Sequence, residues 1–150
     1  MSKNTGSCKF RKVDVDQFDE DKYQDELTEE QAEQGPNVSE VTNLLSSGKN
    51  TDALTHLLNN PPMVTKNITM KDKATQLAVK VLSSFRSSEI DQAIQLLDFK
   101  QIDMLMKYIY YGFECQTEGS SAMLLTWHEK VFAVGGLGSI VRVLTDRKRV

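Results

Sequence analysis

Three short stretches of this sequence carry residue types that could do chemistry. His128-Glu129 matches the start of a zinc-protease helix, in which a second histidine four positions later completes the pair of metal ligands. Here that position is Phe132, and the only other histidine is His56, on a distant segment. We therefore expect no metal site, and we interpret His128 as a helix-face residue beside Trp127.

The other two stretches are a single thiol and a run of glycines. Cys115 could act as a nucleophile only with a histidine base and an orienting group, and the sequence places neither nearby. Gly135-Gly136-Leu137-Gly138 could cradle a phosphate on backbone amides, but no predicted strand precedes it and no Lys-Ser/Thr pair follows. We interpret the glycines as a helix break that lets two helices touch. The chain is thus predicted to be no enzyme and to need no cofactor.

Basic residues gather at the C-terminal end of the sequence. The cluster consists of Arg142, Arg147, Lys148 and Arg149. Cations at this end of a helix complement its dipole by roughly 0.3–1 kcal/mol, which alone could account for them. Docking to an acidic partner is the alternative, and both interpretations stay open. The lysines between positions 66 and 80 are not interleaved with aromatic residues, so we expect no nucleic-acid binding.

Length and composition predict one soluble domain inside the cell. A chain of 150 residues with 39% hydrophobic content can bury one core. The start has no apolar run typical of a signal peptide, and no stretch approaches the ~18 apolar residues of a membrane span. The net charge is −3, but residues 1–35 hold ten acidic and five basic side chains. The acidity therefore belongs to the N-terminal part.

Residues 1–36 are predicted to form an acidic tail that is largely disordered in isolation and ends at Gly35-Pro36. Apolar and aromatic side chains are nevertheless spread through it, namely Phe10, Val13, Val15, Phe18 and Tyr23. A purely solvating tail has little use for aromatic groups. We expect the tail to order on a partner, and a bland solvating tail is the alternative.

Residues 37–150 are predicted to be an all-α domain of about seven helices, which begin near positions 39, 50, 67, 87, 102, 120 and 137. Residues 102–112 are apolar on two faces, which predicts a central helix wrapped by its neighbours. A weak internal repeat, offset by 37 to 40 residues, relates two leucine–serine segments. The pattern favours stacked antiparallel helical hairpins, a short superhelix, over a closed four-helix bundle.

Three segments carry a resemblance to a known family. They are FRKVDVDQFDE (10–20), MLMKYIYYGFE (104–114) and SSAMLLTWHEKVFAVGGLGSIVRVLTDRK (120–148). The last is specific, because WHEK followed by GGLGSIVRVLT is not a generic helical pattern. With weaker similarity through the middle helices, the chain resembles the smallest, sixteen-kilodalton subunit (subunit 5) of the actin-related protein 2/3 complex.

The resemblance implies a non-catalytic structural subunit of the assembly that nucleates branched actin filaments. It implies a place in the cytoplasm and the actin cytoskeleton, at the cell cortex and in protrusions. In that family the helical body docks on the twenty-kilodalton subunit and the β-propeller subunit, and the tail tethers actin-related protein 2. Actin filaments are then contacted only indirectly. A free-standing α-helical adaptor that binds peptide segments between its hairpins is the alternative function.

The predicted partner-binding residues divide between the tail and the body. Those of the tail are Phe10, Arg11, Lys12, Val13, Val15, Phe18 and Tyr23. Those of the body are Tyr108, Tyr111, Trp127, Arg142 and Arg147. For Trp127 and Tyr111, packing in the core is the alternative interpretation.

Overall fold

The computed structural model describes residues 35–62, 67–115 and 119–146, and throughout these ranges the regular structure is helical. The helices are α1 (Val38–Ser46), α2 (Asn50–Asn59), α3 (Ile68–Ser83), α4 (Ser87–Gln95), α5 (Phe99–Glu114) and α6 (Ser121–Thr145). The predicted all-α fold is confirmed. The predicted tail contacts from Phe10 to Tyr23, and Arg147 in the body, lie outside the described residues.

Short-range signals in the sequence set where the helices begin. The side chain of Asn37 caps α1 by accepting a hydrogen bond from the backbone N–H of Ser39 at 3.1 Å. Before α5, the side chain of Asp98 accepts from the backbone N–H of Gln101 at 2.7 Å. The side chain of Gln101 in turn accepts from the backbone N–H of Asp98 at 3.0 Å. This capping box fixes the first turn of α5, and caps of this kind are worth about 1 kcal/mol each.

Part of the packing follows the order of the helices in the sequence, as stacked hairpins predict: α1 packs against α2, α2 against α3, and α5 against α6. The remaining contacts join helices that are not consecutive, since α3 packs against α5 and α6, and α4 against α6. Among the described residues, none of the helices combines the length and the apolar character that a membrane crossing needs.

α5 is the central helix that the apolar pattern predicted. It packs against α2, α3 and α6. The side chains of its first apolar stripe are at most 5% exposed: Ile102, Leu105, Met106 and Ile109. Of its second stripe, Tyr108 is fully buried, while Met104 and Tyr111 pack at the edge of the same core. Neighbouring helices thus cover the first stripe and part of the second.

The predicted end of the central helix at Gly112 is wrong, because α5 continues to Glu114. Gly112 is buried where three helices meet. A Cβ added there would lie 3.0 Å from Cδ1 of Leu124 on α6 and 3.3 Å from Cγ2 of Val79 on α3. The missing side chain therefore serves close approach between helices and does not stop the helix.

α6 consists of two segments joined by a reversal at Gly136. This residue has φ 63° and ψ −172°, outside the helical region. Up to that point α5 and α6 are antiparallel: Gly112 lies against Leu124, and a Cβ on Gly135 would lie 3.0 Å from Cγ2 of Ile102. Residues 121–135 therefore run from the C-terminal end of α5 back to its N-terminal end.

The second segment of α6, residues 137–145, returns along α5 in the parallel direction. Asp103 pairs with Arg142, and four residues further along both segments Lys107 pairs with Asp146, the C-cap of α6. Counting the two segments of α6 separately gives seven helical segments in the described residues, close to the prediction. The predicted break at Gly135–Gly138 is thus a change of direction, for which glycine is suited because φ is positive at Gly136.

Candidate interaction surface

Trp127, a predicted partner residue, lies in the core of the chain. Its indole N–H donates to the backbone carbonyl oxygen of Leu82 at 3.2 Å, which satisfies one of the carbonyls in the last turn of α3. Its ring meets the ring of Phe85 edge to face, with centroids 5.3 Å apart. The structure therefore shows that Trp127 packs in the core of this chain. A contact between Trp127 and a partner stays a prediction.

Tyr108 is also fully buried, and its hydroxyl has no hydrogen-bond partner among the described residues. Burial raises the pKa of this phenol above its ordinary value, because the charged phenolate is disfavoured away from water. Tyr111 is half-buried at the edge of the core. For these two tyrosines a contact with a partner likewise stays a prediction, and Tyr111 is the one with accessible surface.

Arg142 is the predicted body residue that the structure places at the surface with its charge already engaged. Its Nε donates to Asp103 Oδ2 at 2.6 Å, and its Nη2 donates to Asp103 Oδ1 at 2.8 Å. The guanidinium lies over the ring of Phe99, 4.8 Å from the centroid. The hydrogen bond with Asp103 raises the pKa of Arg142. This paired geometry fixes the second segment of α6 on α5.

The residues considered for chemistry do not converge on one site. His128 lies between Tyr110, at 5.7 Å between ring centroids, and Phe132, at 6.3 Å. His56 is on α2 and pairs with a glutamate of α1. Cys115 is an exposed thiol that follows α5. In the described part of the chain, no three His, Cys, Asp or Glu side chains are grouped so that they could hold a metal ion.

The sequence analysis missed an exposed apolar surface on the second segment of α6. Leu137, Val141 and Leu144 are 67%, 48% and 70% exposed. Their spacing puts them on one side of the helix, which we call the outer face of α6. Ile140 and Val143 of the same segment pack against the core. The signal was present in the sequence, because the apolar side chains at 137, 140, 141, 143 and 144 cannot all lie on one side of a helix. A helix that packs with one side against the core therefore leaves some of them exposed.

A second apolar surface is an aromatic cluster on α5 and the first segment of α6. It consists of Tyr110, Phe113, His128 and Phe132. The ring of Tyr110 meets that of Phe113 edge to face at 6.4 Å, and His128 stacks on Phe132 with the planes 3° apart. Phe132 is 40% exposed, and Leu125 on the same helix is 59% exposed. Groups of exposed large apolar side chains on a folded body mark sites of protein interaction.

Comparison with known proteins gives the relatives of the chain. The family model described as "ARP2/3 complex 16 kDa subunit (p16-Arc)" matches residues 9–150. The chain is 53% identical over 150 residues to actin-related protein 2/3 complex subunit 5-C of Xenopus laevis, with both chains covered in full. It is 55% identical over 153 residues to the human actin-related protein 2/3 complex subunit 5-like protein, again with full coverage of both. A probable subunit 5 of Caenorhabditis elegans is 37% identical over 142 residues, which cover 94% of this chain and 97% of the relative.

Proposed function

This chain belongs to the family of the ARP2/3 complex 16 kDa subunit, and from that premise we propose that it is a non-catalytic structural subunit of the actin-nucleating complex. The observation that carries the proposal is identity of 53–55% along the whole length of both chains. Buried side chains are a minority of the described residues, so identity over more than half of the aligned positions has to include surface positions. Two proteins that occupy the same position in an assembly must share surface residues as well as a fold.

The body supports this proposal because it closes its own core and still exposes large apolar side chains. In the isolated chain the outer face of α6 is exposed, and so are Phe132 of the aromatic cluster and Leu125 on the same helix. Leaving a large apolar side chain in water forfeits roughly 1.5–3 kcal/mol relative to burial. In an assembly, neighbouring subunits would cover these groups. We propose that the body docks in this way on the twenty-kilodalton subunit and the β-propeller subunit.

The tail supports a second part of the proposal, which is that residues 1–36 tether actin-related protein 2. The family match begins at residue 9 and so includes the aromatic tail residues Phe10, Phe18 and Tyr23. A short tether joined to a docked body raises the effective concentration of the tethered subunit to about the millimolar range. The role in nucleation is then mechanical, and the chain acts with the complex in the cytoplasm, at the cell cortex and in protrusions.

Copurification tests the proposed function. The full chain with an affinity tag is expressed in cells from which the untagged copy has been removed, and the bound proteins are quantified by mass spectrometry. We expect the other subunits of the complex at a fixed one-to-one ratio with the tagged chain. A chain that elutes alone, or with unrelated proteins at variable ratios, would favour the free-standing adaptor and contradict the proposal.

A further inference from the structure

The N-terminal tail joins the described body beside α3. Gly35 is the first described residue, and a Cβ placed on it would lie 3.6 Å from Cε of Met70 and 3.8 Å from Cβ of Pro62. Met70 belongs to the first turn of α3. The tail therefore departs from the N-terminal end of this helix, and the exposed side of α3 lies within its reach.

The side of α3 that faces solvent is basic. Its exposed polar side chains recur every three or four residues and form one row, which we call the outer face of α3: Thr69, Lys73, Gln76, Lys80 and Ser83. Neither lysine of this row has an acidic partner within the part of the chain that the structure describes. Asp72, the one acidic side chain of α3, is half-buried beside the row. The outer face thus offers two positive charges that the body itself does not neutralise.

A groove borders the outer face of α3 at its C-terminal end. It has a volume of about 360 Å³ and lies between α3 and the start of α6. Val79 and Lys80 line one side, and Ser120 and Met123 line the other. Val79 is buried and Met123 half-buried, whereas Lys80 is exposed. An apolar side chain that entered the groove would therefore contact apolar groups with a positive charge beside it.

Residues 24–33 of the tail have the complementary chemistry. This segment, QDELTEEQAE, contains five acidic side chains, no basic ones, and one large apolar side chain, Leu27. Leu27 precedes Gly35 by eight residues, which span up to about 26–29 Å when extended. The ten residues from Met70 to Lys80 rise ~15 Å along α3. Leu27 can therefore reach the groove while its acidic neighbours lie along the two lysines.

The other helices near the start of the chain would repel this segment. α3 carries three lysines and one aspartate, a net charge of +2. α1 and α2 each carry one acidic and no lysine or arginine side chain, and α4 carries two acidic side chains. Attraction between opposite charges therefore favours α3 over these helices, and it acts at short distance because the tail is joined to the same end of the body.

We infer that residues 24–33 dock on the outer face of α3, with Leu27 in the groove and the acidic side chains beside Lys73 and Lys80. The contact lies within one chain, so it does not depend on the proposed function. It leaves residues 1–23 free, and these include every tail residue predicted to bind a partner. The free part of the tail would then start at the groove and not at Gly35.

Paramagnetic relaxation enhancement in the isolated full chain tests the contact. A nitroxide is attached to Thr28→Cys after Cys8→Ser and Cys115→Ser have removed the two native thiols. We expect the amide signals of residues 79–83 and 119–123 to broaden, and those of residues 137–141 to stay sharp. Broadening that is absent, or that is spread evenly over the body, would overturn the inference. Broadening in an isotope-labelled chain without nitroxide, mixed with the spin-labelled chain, would also overturn it, because the tail would then dock on a second copy.

Charge reversal shows whether the lysines hold the segment. Lys73→Glu with Lys80→Glu should abolish the broadening, because attraction becomes repulsion on the outer face of α3. Lys49→Glu with Lys100→Glu is the matched control, since both lysines are exposed, lie outside α3 and give the same change of net charge. Circular dichroism checks that each variant keeps its helix content. An equal loss of broadening in both pairs would contradict a specific contact.

Two further variants separate charge from apolar packing. Changing Asp25, Glu26, Glu29 and Glu30 to Lys in the chain with Lys73→Glu and Lys80→Glu should restore the broadening at residues 79–83. Leu27→Ser in the otherwise unmodified spin-labelled chain should weaken it, whereas Ala32→Ser should not. If restored charge complementarity fails to bring back the broadening, or if Leu27→Ser has no effect, the proposed docking is wrong.

Discussion

Asp103 and Arg142 are joined by two hydrogen bonds across 39 residues of sequence, with their helices running in the same direction. The parallel arrangement exists only because the chain reverses at Gly136 after the antiparallel first segment of α6. The pair therefore fixes the return of the C-terminal segment along α5. That segment carries the outer face, so the contact links a local ion pair to the surface that we propose for docking.

Replacing Arg142 by Ala should loosen the second segment of α6 more than the rest of the body. The variant loses both hydrogen bonds to Asp103 and the contact with the ring of Phe99. We expect faster amide hydrogen exchange at residues 137–145, with little change in α3, because opening is local where few buried contacts hold a segment. Lys130→Ala, which removes an exposed pair with Asp91, is the matched control. Uniformly faster exchange over the whole body would contradict a local role for Arg142.

Replacing Gly112 by Ala should destabilise the body although alanine favours helices. The added methyl group would lie 3.0 Å from Leu124 and 3.3 Å from Val79, so α3 and α6 must move away from α5. Overpacking of this kind costs typically 1–3 kcal/mol. Gln76→Ala, at an exposed position of α3, is the control for a substitution within a helix. Urea unfolding followed by circular dichroism measures both, and a Gly112 variant as stable as the control would refute the close-approach role.

Tyr108 should make the folded state sensitive to alkaline pH. Burial raises the pKa of its phenol from the ordinary value of 10.0, so the unfolded chain releases the proton first as pH rises. The stability due to this group is complete below pH 10 and falls above it, by up to about 1.4 kcal/mol per pH unit.

Tyr108→Phe isolates this effect, since it removes the titrating group and the buried hydroxyl that lacks a partner among the described residues. We expect the variant to be at least as stable as the unmodified chain at pH 7 and to lose less stability between pH 10 and 11. Tyr110→Phe, on a half-buried ring, is the control. If thermal melting shows the same alkaline loss in the Tyr108 variant as in the unmodified chain, the buried phenol is not its source.

Local patterns predicted the helices well because they depend on nearby residues. The stripe of α3 is an example: the sequence places Ala74, Leu77, Ala78, Val81, Leu82 and Phe85 at helical spacing, and five of them are buried, while Phe85 is partly buried against the same core. The N-cap of α4 lies one residue before the nearer of the two serines that the sequence offers as caps. Serine is a common N-cap, so the sequence predicts a cap at Ser87 or Ser88, but the N-cap is Arg86: the Glu89 carboxylate accepts from its backbone N–H at 3.2 Å, and the helix begins at Ser87.

Long-range features could not be predicted in the same way. The glycines at 135–138 predicted a break, but the direction of the chain after it depends on the pairing of Asp103 with Arg142 across the fold. Apolar residues are equally suited to a core and to an interface, so the sequence could not show that Trp127 is buried while Leu137 is exposed. The fold separates these two cases, because Trp127 is covered by Leu82 and Phe85 at the end of α3, whereas Leu137 lies on the outer face of α6.

Trp127→Ala and Tyr111→Ala distinguish packing from partner contact. Trp127 fills the core and donates to Leu82, so its truncation should lower the free energy of unfolding by ~3–5 kcal/mol. Incorporation into the complex, measured below both melting temperatures, should then fall only as far as folding does. Tyr111 is half-buried, so its truncation should cost less stability. A loss of incorporation that exceeds the loss of folded protein in either variant would reveal a direct partner contact at that residue.

Removing residues 1–25 should separate the two parts of the proposed function. The described body begins at residue 35, so its helices are all retained, and the truncated chain should still fold and enter the complex. Retention of actin-related protein 2 should weaken, because the tether that raises its effective concentration is gone. The measurement is the ratio of actin-related protein 2 to the β-propeller subunit in the purified complex, together with the number of filament branches formed.

A full-length variant shows whether the aromatic groups carry the tether. Changing Phe10, Phe18 and Tyr23 to Ser keeps the length and the charge of the tail, and we expect it to weaken retention as the truncation does. Changing Asp14, Asp16 and Asp19 to Asn keeps the aromatic groups and should leave most of the retention intact. Normal subunit ratios and normal branching in the truncated complex would show that the tail does not hold actin-related protein 2.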